Sequence, residues 1–371
     1  MNNRRLHIAW DNRLARQDRA GTGTYAVRLL GEFHKRTDLQ LQVLDGGSGP
    51  GTRGFADRAL RTVKNIAWTH VRLPALAWKD NVDMLHAPAF LAPTLSPCPV
   101  VMTIHDVTYL LYPSHFPRWW VTYMKLAMPA AVRSAAAIIC GSQHSKADIA
   151  RTYKVLGDRI HVIPYGVDHE RFRSGTTLDA HWAQRLGIRE DYVLHVGTLS
   201  YRKNIPTLLR AISHLRSKGK WRTRQLVLAG SGESGLRGAQ EIYDMIAELG
   251  LGNVVVLAGH VPDEFVPGLY AHASVLVMPS LYEGFGFPIL EAMACGTPVI
   301  ASDTSSLPEV AADAAILFPP QDEVALASAI EEVLEKKSLA DELRRKGLVR
   351  AAEFSWERCA DETVKVYRSI A

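Results

Sequence analysis

Between Ala273 and Ser302 the chain follows a pattern that demands a parallel sheet. Ala273-Ser274-Val275-Leu276-Val277-Met278-Pro279 reads as a buried strand, and Thr297-Pro298-Val299-Ile300-Ala301-Ser302 reads as a second. Between them lie a glycine-rich turn and a short apolar helix, Tyr282 to Gly296. Strand, loop, helix and strand make one βαβ unit, whose two strands can pair only in parallel because the connection crosses over. Strands of such sheets are covered on both faces, which explains runs without polar alternation. Ligands of these folds sit where a strand's carboxyl end meets the following helix N-terminus.

The helix in this unit can be argued residue by residue. Pro288 suits the first turn, where its missing N–H costs nothing, and Gly296 reads as the C-terminal cap. Gly284 and Gly286 allow the backbone close to a ligand, and the free N–H groups of a helix start favour an anion. Two carboxylates flank this turn, Glu283 on the loop and Glu291 about one turn into the helix. A carboxylate repels phosphate, so Glu291 suits a diol such as ribose, and Glu283 a second polyol. The alternative is a pair of surface acids stabilised by the helix dipole. The apolar, aromatic loop (Tyr282, Phe285, Phe287) argues against a merely solvated turn.

The same alternation organises the whole chain. Leu6–Trp10, Gln40–Leu44, Asp83–His86, Val100–Ile104 and Ala135–Cys140 read as strands of a first half, with a polar loop from Asp11 through Gly23 and a helix from Thr24 to His34. Residues Gly46 to Gly54 read as a glycine-rich loop. A second half restarts at Tyr192 and continues through Gln225–Ala229, Asn253–Leu257, Ser274–Met278 and Val299–Ala301, with a helical pair from Glu323 to Ala352. The expectation is an α/β protein of two doubly wound Rossmann-like domains: residues 1–170, a polar linker at 171–190, and residues 191–354. Two such domains imply a central cleft, the usual place for a ligand. In the last helix, Trp356, Cys359, Thr363, Val366, Tyr367 and Ile370 share one face.

Three further turns carry candidate chemistry. Gly197 through Asn204 follows the first strand of the second half and places Arg202 and Lys203 at the sheet edge of the glutamate loop. They either neutralise a diphosphate or simply form an exposed basic turn. Gly230, Gly232 and Gly235 match GxGxxG, but after the second strand of their half, so a plain turn is preferred. Gly259-His260-Val261-Pro262 is another strand-end turn, whose backbone at Val261 can read a nucleobase. In the first half His105 ends a buried strand beside Asp106; it is either a donor to a sugar hydroxyl or a core histidine.

Taken together, the Gly21–Gly23 loop, Thr103-Ile104-His105-Asp106, Val162–Asp168, Val196–Asn204 and Pro279–Ser302 resemble the retaining glycosyltransferase family 4, of GT-B architecture. The resemblance implies that Arg202 and Lys203 hold a donor diphosphate, that Phe285 and Gly286 lend backbone N–H groups, that Glu291 binds the ribose and that Glu283 contacts the transferred sugar. It implies that His105 faces that sugar from the other domain and that Gly21 and Gly23 border the diphosphate and acceptor. Thr24 stands where many relatives carry a basic residue. The last helix, within 355–371, is expected to return to the first domain.

The implied activity is transfer of a hexose from a nucleotide diphosphate sugar, with retention and without metal or other cofactor. The first choice is GDP-mannose, from likeness to bacterial mannosyltransferases of surface polysaccharide assembly; a UDP-glucose enzyme, a sugar-nucleotide epimerase and a non-catalytic binding protein are the alternatives. The acceptor is expected to be a saccharide or lipid-linked saccharide. Residues 1–170 carry 21 Lys/Arg against 13 Asp/Glu and the remainder 22 against 25, so the basic half suits an anionic membrane surface or phosphate-bearing acceptor. No signature of nucleic-acid binding accompanies that charge. His115 through Lys125 mixes aromatics with cations, suiting either a membrane surface or a helix that buries Trp119 and Tyr123. No apolar signal core or membrane-spanning run is evident, and the four cysteines lack disulfide or zinc spacing. A cytoplasmic protein, peripheral at the membrane, is the expectation.

Overall fold

Short runs of three to six residues, too short for most helices, form both sheets of the computed structural model, which describes residues 4–13, 21–46, 63–221, 223–232 and 239–371. The chain divides into two compact units. One comprises Met1–Leu110, Trp119–Gly166 and Trp356–Ala371; the other comprises Leu111–Arg118 and Val167–Ser355.

The first unit holds a six-stranded sheet: β1 (Leu6–Asp11), β2 (Leu39–Leu44), β3 (Met84–Ala87), β4 (Val100–Thr103), β5 (Ala137–Cys140) and β6 (Ile160–Val162). Its order is β2-β1-β3-β4-β5-β6 and its ladders are parallel. Strands β3, β4 and β5 are buried at every position, as a sheet covered on both faces requires.

The C-terminal helix Trp356–Ile370 belongs to this first unit. Its Trp356, Cys359, Thr363, Val366 and Tyr367 are buried. Trp356 stacks on Tyr165, and Tyr367 lies against Phe33 of the Gly21–His34 helix. A buried polar chain ties it further: Tyr367 OH bonds His86 Nδ1, His86 Nε2 bonds Thr103 Oγ1 at 2.9 Å, and Tyr25 OH reaches the same hydroxyl at 3.0 Å. Burial holds the His86 imidazole neutral, with its pKa pushed down to about 3.

The second unit holds β7 (Tyr192–Val196), β8 (Gln225–Ala229), β9 (Val255–Gly259), β10 (Val275–Met278), β11 (Val299–Ser302) and β12 (Ile316–Phe318). The order β12-β11-β10-β7-β8-β9 is again parallel. Counted within the unit it reads 3-2-1-4-5-6 from the β9 edge, the dinucleotide-fold arrangement. Its order reverses between β7 and β10, so the loops after those two strands border the crevice.

Several expectations are corrected. The segment 171–190 is not a plain linker. It carries the helix Ala180–Leu186, whose N-cap Asp179 accepts from Trp182 N at 2.6 Å and whose end is closed by Gly187 at φ +70°. Its polar composition hid Trp182, which stacks on Phe265. Gly21 and Gly23 do not lie in a loop; they open the helix Gly21–His34, and residues 14–20 of the expected loop lie outside the described residues. Residues 47–54 of the expected glycine loop and Gly235 also lie outside them. Strand β9 starts at Val255 rather than Asn253, and β12 was not foreseen because a three-residue edge strand leaves little pattern. The helix Arg118–Ser134 buries Val121, Met124 and Met128 but leaves Trp119 50% exposed, so Trp119 is no core residue. Among the described residues no helix is long and apolar enough to cross a membrane.

Candidate functional site

The loop after β7 and the loop after β10 meet through backbone and side chains. Leu281 N donates to Arg202 O at 2.8 Å, and Arg202 Nη1 donates to Tyr282 O at 2.6 Å. Asn204, held at φ +51°, donates through Nδ2 to Pro279 O at 3.0 Å and starts the helix Ile205–Ser217. This lattice of bonds explains why the Arg-Lys-Asn turn takes a strained backbone: its side chains are spent on the neighbouring loop.

At the centre is a buried triad of charges. Glu283 Oε1 accepts from Lys203 Nζ at 2.6 Å and from Ser280 Oγ at 2.7 Å, while Oε2 pairs with Arg202 Nη1 at 2.6 Å. Glu283 and Lys203 are nearly inaccessible, and Arg202 keeps a quarter of its side chain open. Burial penalises the Glu283 carboxylate, but Arg202 and then Lys203 outweigh it and hold the pKa at about 2. Burial lowers the Lys203 pKa, and Glu283 opposes that shift. Two cations against one anion leave an excess positive charge at the switch point, and three residues on from Glu283 a helix starts at its N-cap, Gly286, at φ +114°. An anion is what this arrangement favours.

The room for it depends on two glycines. A Cβ on Gly197 would lie 3.0 Å from Lys203 Cε, and one on Gly230 would lie 2.0 Å from Gly197 O. Gly230 N also donates to Gly259 O at 2.7 Å, which draws the ends of β7, β8 and β9 together. Val261 lies two residues beyond Gly259, past the end of β9, and is buried.

Glu291 lies on the helix Phe287–Ala294, where its Oε2 accepts from Tyr270 OH at 2.8 Å. Burial raises its pKa, and the tyrosine bond works against the rise. Arg171 and Asp263 act on it electrostatically, and both line an open cavity of about 540 Å³ with Arg173, Glu264 and Pro267.

The loop backbone is buttressed by hydroxyls that no local motif announced. Ser305 Oγ accepts from Glu283 N at 2.9 Å, and Ser306 Oγ donates to Glu283 O and Phe285 O at 2.9 and 2.8 Å. The Thr304-Ser305-Ser306 run after β11 was their only signal in the sequence. Tyr270 had none, being 21 residues from the acid it holds. Phe285 packs edge-on against Phe287 and Phe354, which keeps the Gly284–Gly286 turn in place.

His105 sits in the first unit, at the carboxyl end of β4. Its Nδ1 meets Tyr165 OH at 2.8 Å and its Nε2 meets Pro88 O at 3.2 Å. A carbonyl only accepts, so Nε2 carries the proton and the tyrosine hydroxyl donates to Nδ1. Tyr25, Phe90 and Tyr165 surround the ring, and burial pushes its pKa down to about 4. Both ring nitrogens are thus engaged within the unit. Asp106 instead caps the next turn through Thr108 N at 2.9 Å. Among the described residues no group of three or more His, Cys, Asp or Glu side chains is gathered as a metal site would be.

Comparison with known proteins places this geometry in context. Residues 20–171 match the family model Glycosyltransferase Family 4, and residues 179–350 match that of Glycosyl transferases group 1. The chain is 33% identical over 305 residues to O-antigen chain mannosyltransferase B of Escherichia coli, covering 81% of this chain and 78% of that protein. It is 32% identical over 255 residues to the MMP alpha-(1->4)-mannosyltransferase of Mycolicibacterium hassiacum, covering 67% of this chain and 58% of that protein. Among solved structures, sucrose-phosphate synthase from Thermosynechococcus elongatus superposes with a TM-score of 0.77 at 22% identity, covering 98% and 99% of the two chains. The Anabaena protein HepE in complex with UDP and glucose superposes with a TM-score of 0.74 at 19% identity, covering 98% and 100%.

Proposed function

The chain belongs to the glycosyltransferases of group 1 and family 4, with GT-B architecture, and on that premise we propose that it moves a hexose from a nucleotide diphosphate sugar to a saccharide or lipid-linked saccharide hydroxyl with retention of configuration. One observation carries the reading: Arg202 and Lys203 converge with Glu283 at the switch point between β7 and β10. Such a cluster meets a diphosphate by charge and a sugar by hydrogen bonding.

In this reading the two cations and the helix start beneath Gly286 take up the negative charge that grows on the leaving diphosphate, so no metal is called for. Glu291, steadied by Tyr270, accepts hydrogen bonds from the ribose diol. The acceptor oxygen attacks the anomeric carbon on the face from which the diphosphate departs. The bond to the phosphate oxygen breaks as the new glycosidic bond forms, and the hydroxyl proton passes to that phosphate oxygen.

GDP-mannose is the first choice of donor. The two relatives quoted above are mannosyltransferases, and Asp263, which acts electrostatically on Glu291, lines the cavity together with Glu264. Guanine presents donors at N1 and its 2-amino group, which carboxylates accept; uracil presents one ring N–H. A cytoplasmic setting is part of the same reading, since four free thiols, three of them buried, suit a reducing compartment.

Titration with GDP-mannose and UDP-glucose tests the donor, and labelled donor with a lipid-linked saccharide tests transfer. Label in the acceptor with the donor's anomeric configuration supports the proposal. Epimerised donor points to a sugar-nucleotide epimerase, and unchanged donor to a binding protein. Lys203→Ala and Glu291→Ala each weaken nucleotide binding by about 1.5–3 kcal/mol, the value of a hydrogen bond to a charged group. Unimpaired binding and turnover in both would remove the site assignment.

A further inference from the structure

The first unit exposes an apolar ridge that its own core does not use. Residues 63–79 form one continuous helix, α-helical over 63–67, π-helical over Trp68–Arg72 and α-helical again over Leu73–Lys79. One face is firmly anchored. Trp68, Thr69, Leu73 and Ala77 are buried, Trp68 Nε1 donates to Asp11 Oδ1 at 3.1 Å, and Arg13 Nη1 donates to Asn65 O and Thr69 Oγ1 at 3.1 and 2.8 Å. The helix is therefore a fixed part of the unit.

The opposite face carries Val63, Val71 and Trp78, which are 62%, 67% and 76% exposed. Their spacing follows from the π turn. Two α-turns take about seven residues, which is the step from Val71 to Trp78. The step from Val63 to Val71 is eight, and the extra residue accommodated by the i→i+5 turn between them restores the phase. An unbroken α-helix would have put the half-buried His70 on the ridge in place of Val71. Exposed Lys64, Arg72 and Lys79 flank the ridge, and residues 63–79 contain no acid.

A second acid-free helix of the same unit repeats the composition. Arg118–Ser134 exposes Trp119 at 50% and Leu126 at 75%, with Lys125 and Arg133 also exposed. Arg13, which braces the first helix, also acts electrostatically on Tyr123 of the second. Two fixed helices thus present large apolar and aromatic side chains interleaved with cations only. A protein partner that covered them would have to neutralise this charge, whereas an anionic bilayer does so and receives the apolar side chains at headgroup depth.

We propose that the helix 63–79, with Val63, Val71 and Trp78 inserted and Lys64, Arg72 and Lys79 on lipid phosphates, docks this protein on an anionic membrane surface. The docking is independent of which donor or acceptor the enzyme uses. The π turn is its structural device, because it aligns the three apolar side chains while the other face stays packed.

Co-sedimentation of the full chain with phosphatidylcholine vesicles, with and without phosphatidylglycerol, tests the proposal. Binding is expected only with phosphatidylglycerol and is expected to fall as salt rises. Val71→Glu with Trp78→Glu abolishes it, and Lys64→Ala with Arg72→Ala lowers partitioning roughly 30-fold. Val349→Glu, an equally exposed site of the second unit, leaves it unchanged. Melting followed by circular dichroism confirms that the variants fold; should the double glutamate variant not fold, Trp78→Ser is used in its place. Equal binding to neutral vesicles, or unchanged binding by the ridge variant, overturns the proposal. So does a dimer in sedimentation equilibrium that Trp78→Ser dissolves, since the ridge then covers a second copy.

Discussion

Replacing Glu283 by Gln separates the two tasks that this carboxylate combines. In the free protein it is the shared counter-ion of Arg202 and Lys203, at 2.6 Å from each. Gln keeps the size and one acceptor oxygen but leaves two cations side by side, one of them buried. Unpairing a buried charge costs about 3–5 kcal/mol, and the retained acceptor places this change near the lower end. For a unit of this size, roughly 3 kcal/mol lowers Tm by about 6–12 °C. Nucleotide binding moves the other way. A carboxylate about 6 Å from a phosphate repels it by roughly 3 kcal/mol at an effective dielectric constant of ~20, an upper bound before solvent screening. Its removal tightens GDP binding by about tenfold or more, while loss of its contact with the sugar lowers kcat. Calorimetric titration with GDP, thermal melting and initial rates read the three quantities on one sample. Weaker GDP binding in Glu283→Gln would refute the counter-ion argument, because the residue would then be supporting the anion rather than competing with it.

Other consequences are simpler. Tyr270→Phe removes the hydroxyl that donates to Glu291 Oε2 and weakens nucleotide binding by about 1 kcal/mol, with a smaller effect on the affinity of a nucleotide lacking the ribose 2′-hydroxyl. Gly230→Ala forces a methyl to within 2.0 Å of Gly197 O at φ +143° and destabilises the second unit by roughly 3 kcal/mol in a denaturant titration; wild-type stability would show that the strand ends can part. His86 and His105 of the first unit are buried neutral, with pKa values near 3 and 4 against 6.5 when unfolded. Between pH 6.5 and 4 the unfolded state binds protons that the folded state does not, so stability is full above pH 6.5 and falls as pH drops. With two such groups the slope approaches roughly 3 kcal/mol per pH unit, measured by denaturant melts of the wild type against His86→Gln.

Much of this molecule could be read along the chain. Both doubly wound sheets follow from short apolar runs separated by helical periodicity, and the terminal helix from one three- and four-residue stripe. The glycine turn, Pro288 and Gly296 marked the helix Phe287–Ala294 because caps and φ > 0 positions are local requirements. Parallel topology alone placed Arg202 and Lys203 on the edge of the glutamate loop. Readings failed where a few buried side chains outweighed a polar average, as at Trp182 in the expected linker.

What the tertiary structure alone decided is who meets whom. Lys203 and Glu283 are 80 residues apart, and only the order reversal between β7 and β10 brings them into one buried pair. Tyr270 reaches Glu291, and Ser305 and Ser306 reach the Glu283 backbone, through the same crowding of strand ends. His105 likewise meets Tyr165 and Pro88, 60 and 17 residues away in the chain, only through the fold. Periodicity is a property of neighbours in the chain, so it reveals elements and faces. Charge pairing inside a protein depends on distance and burial, and both exist only once the sheets have formed.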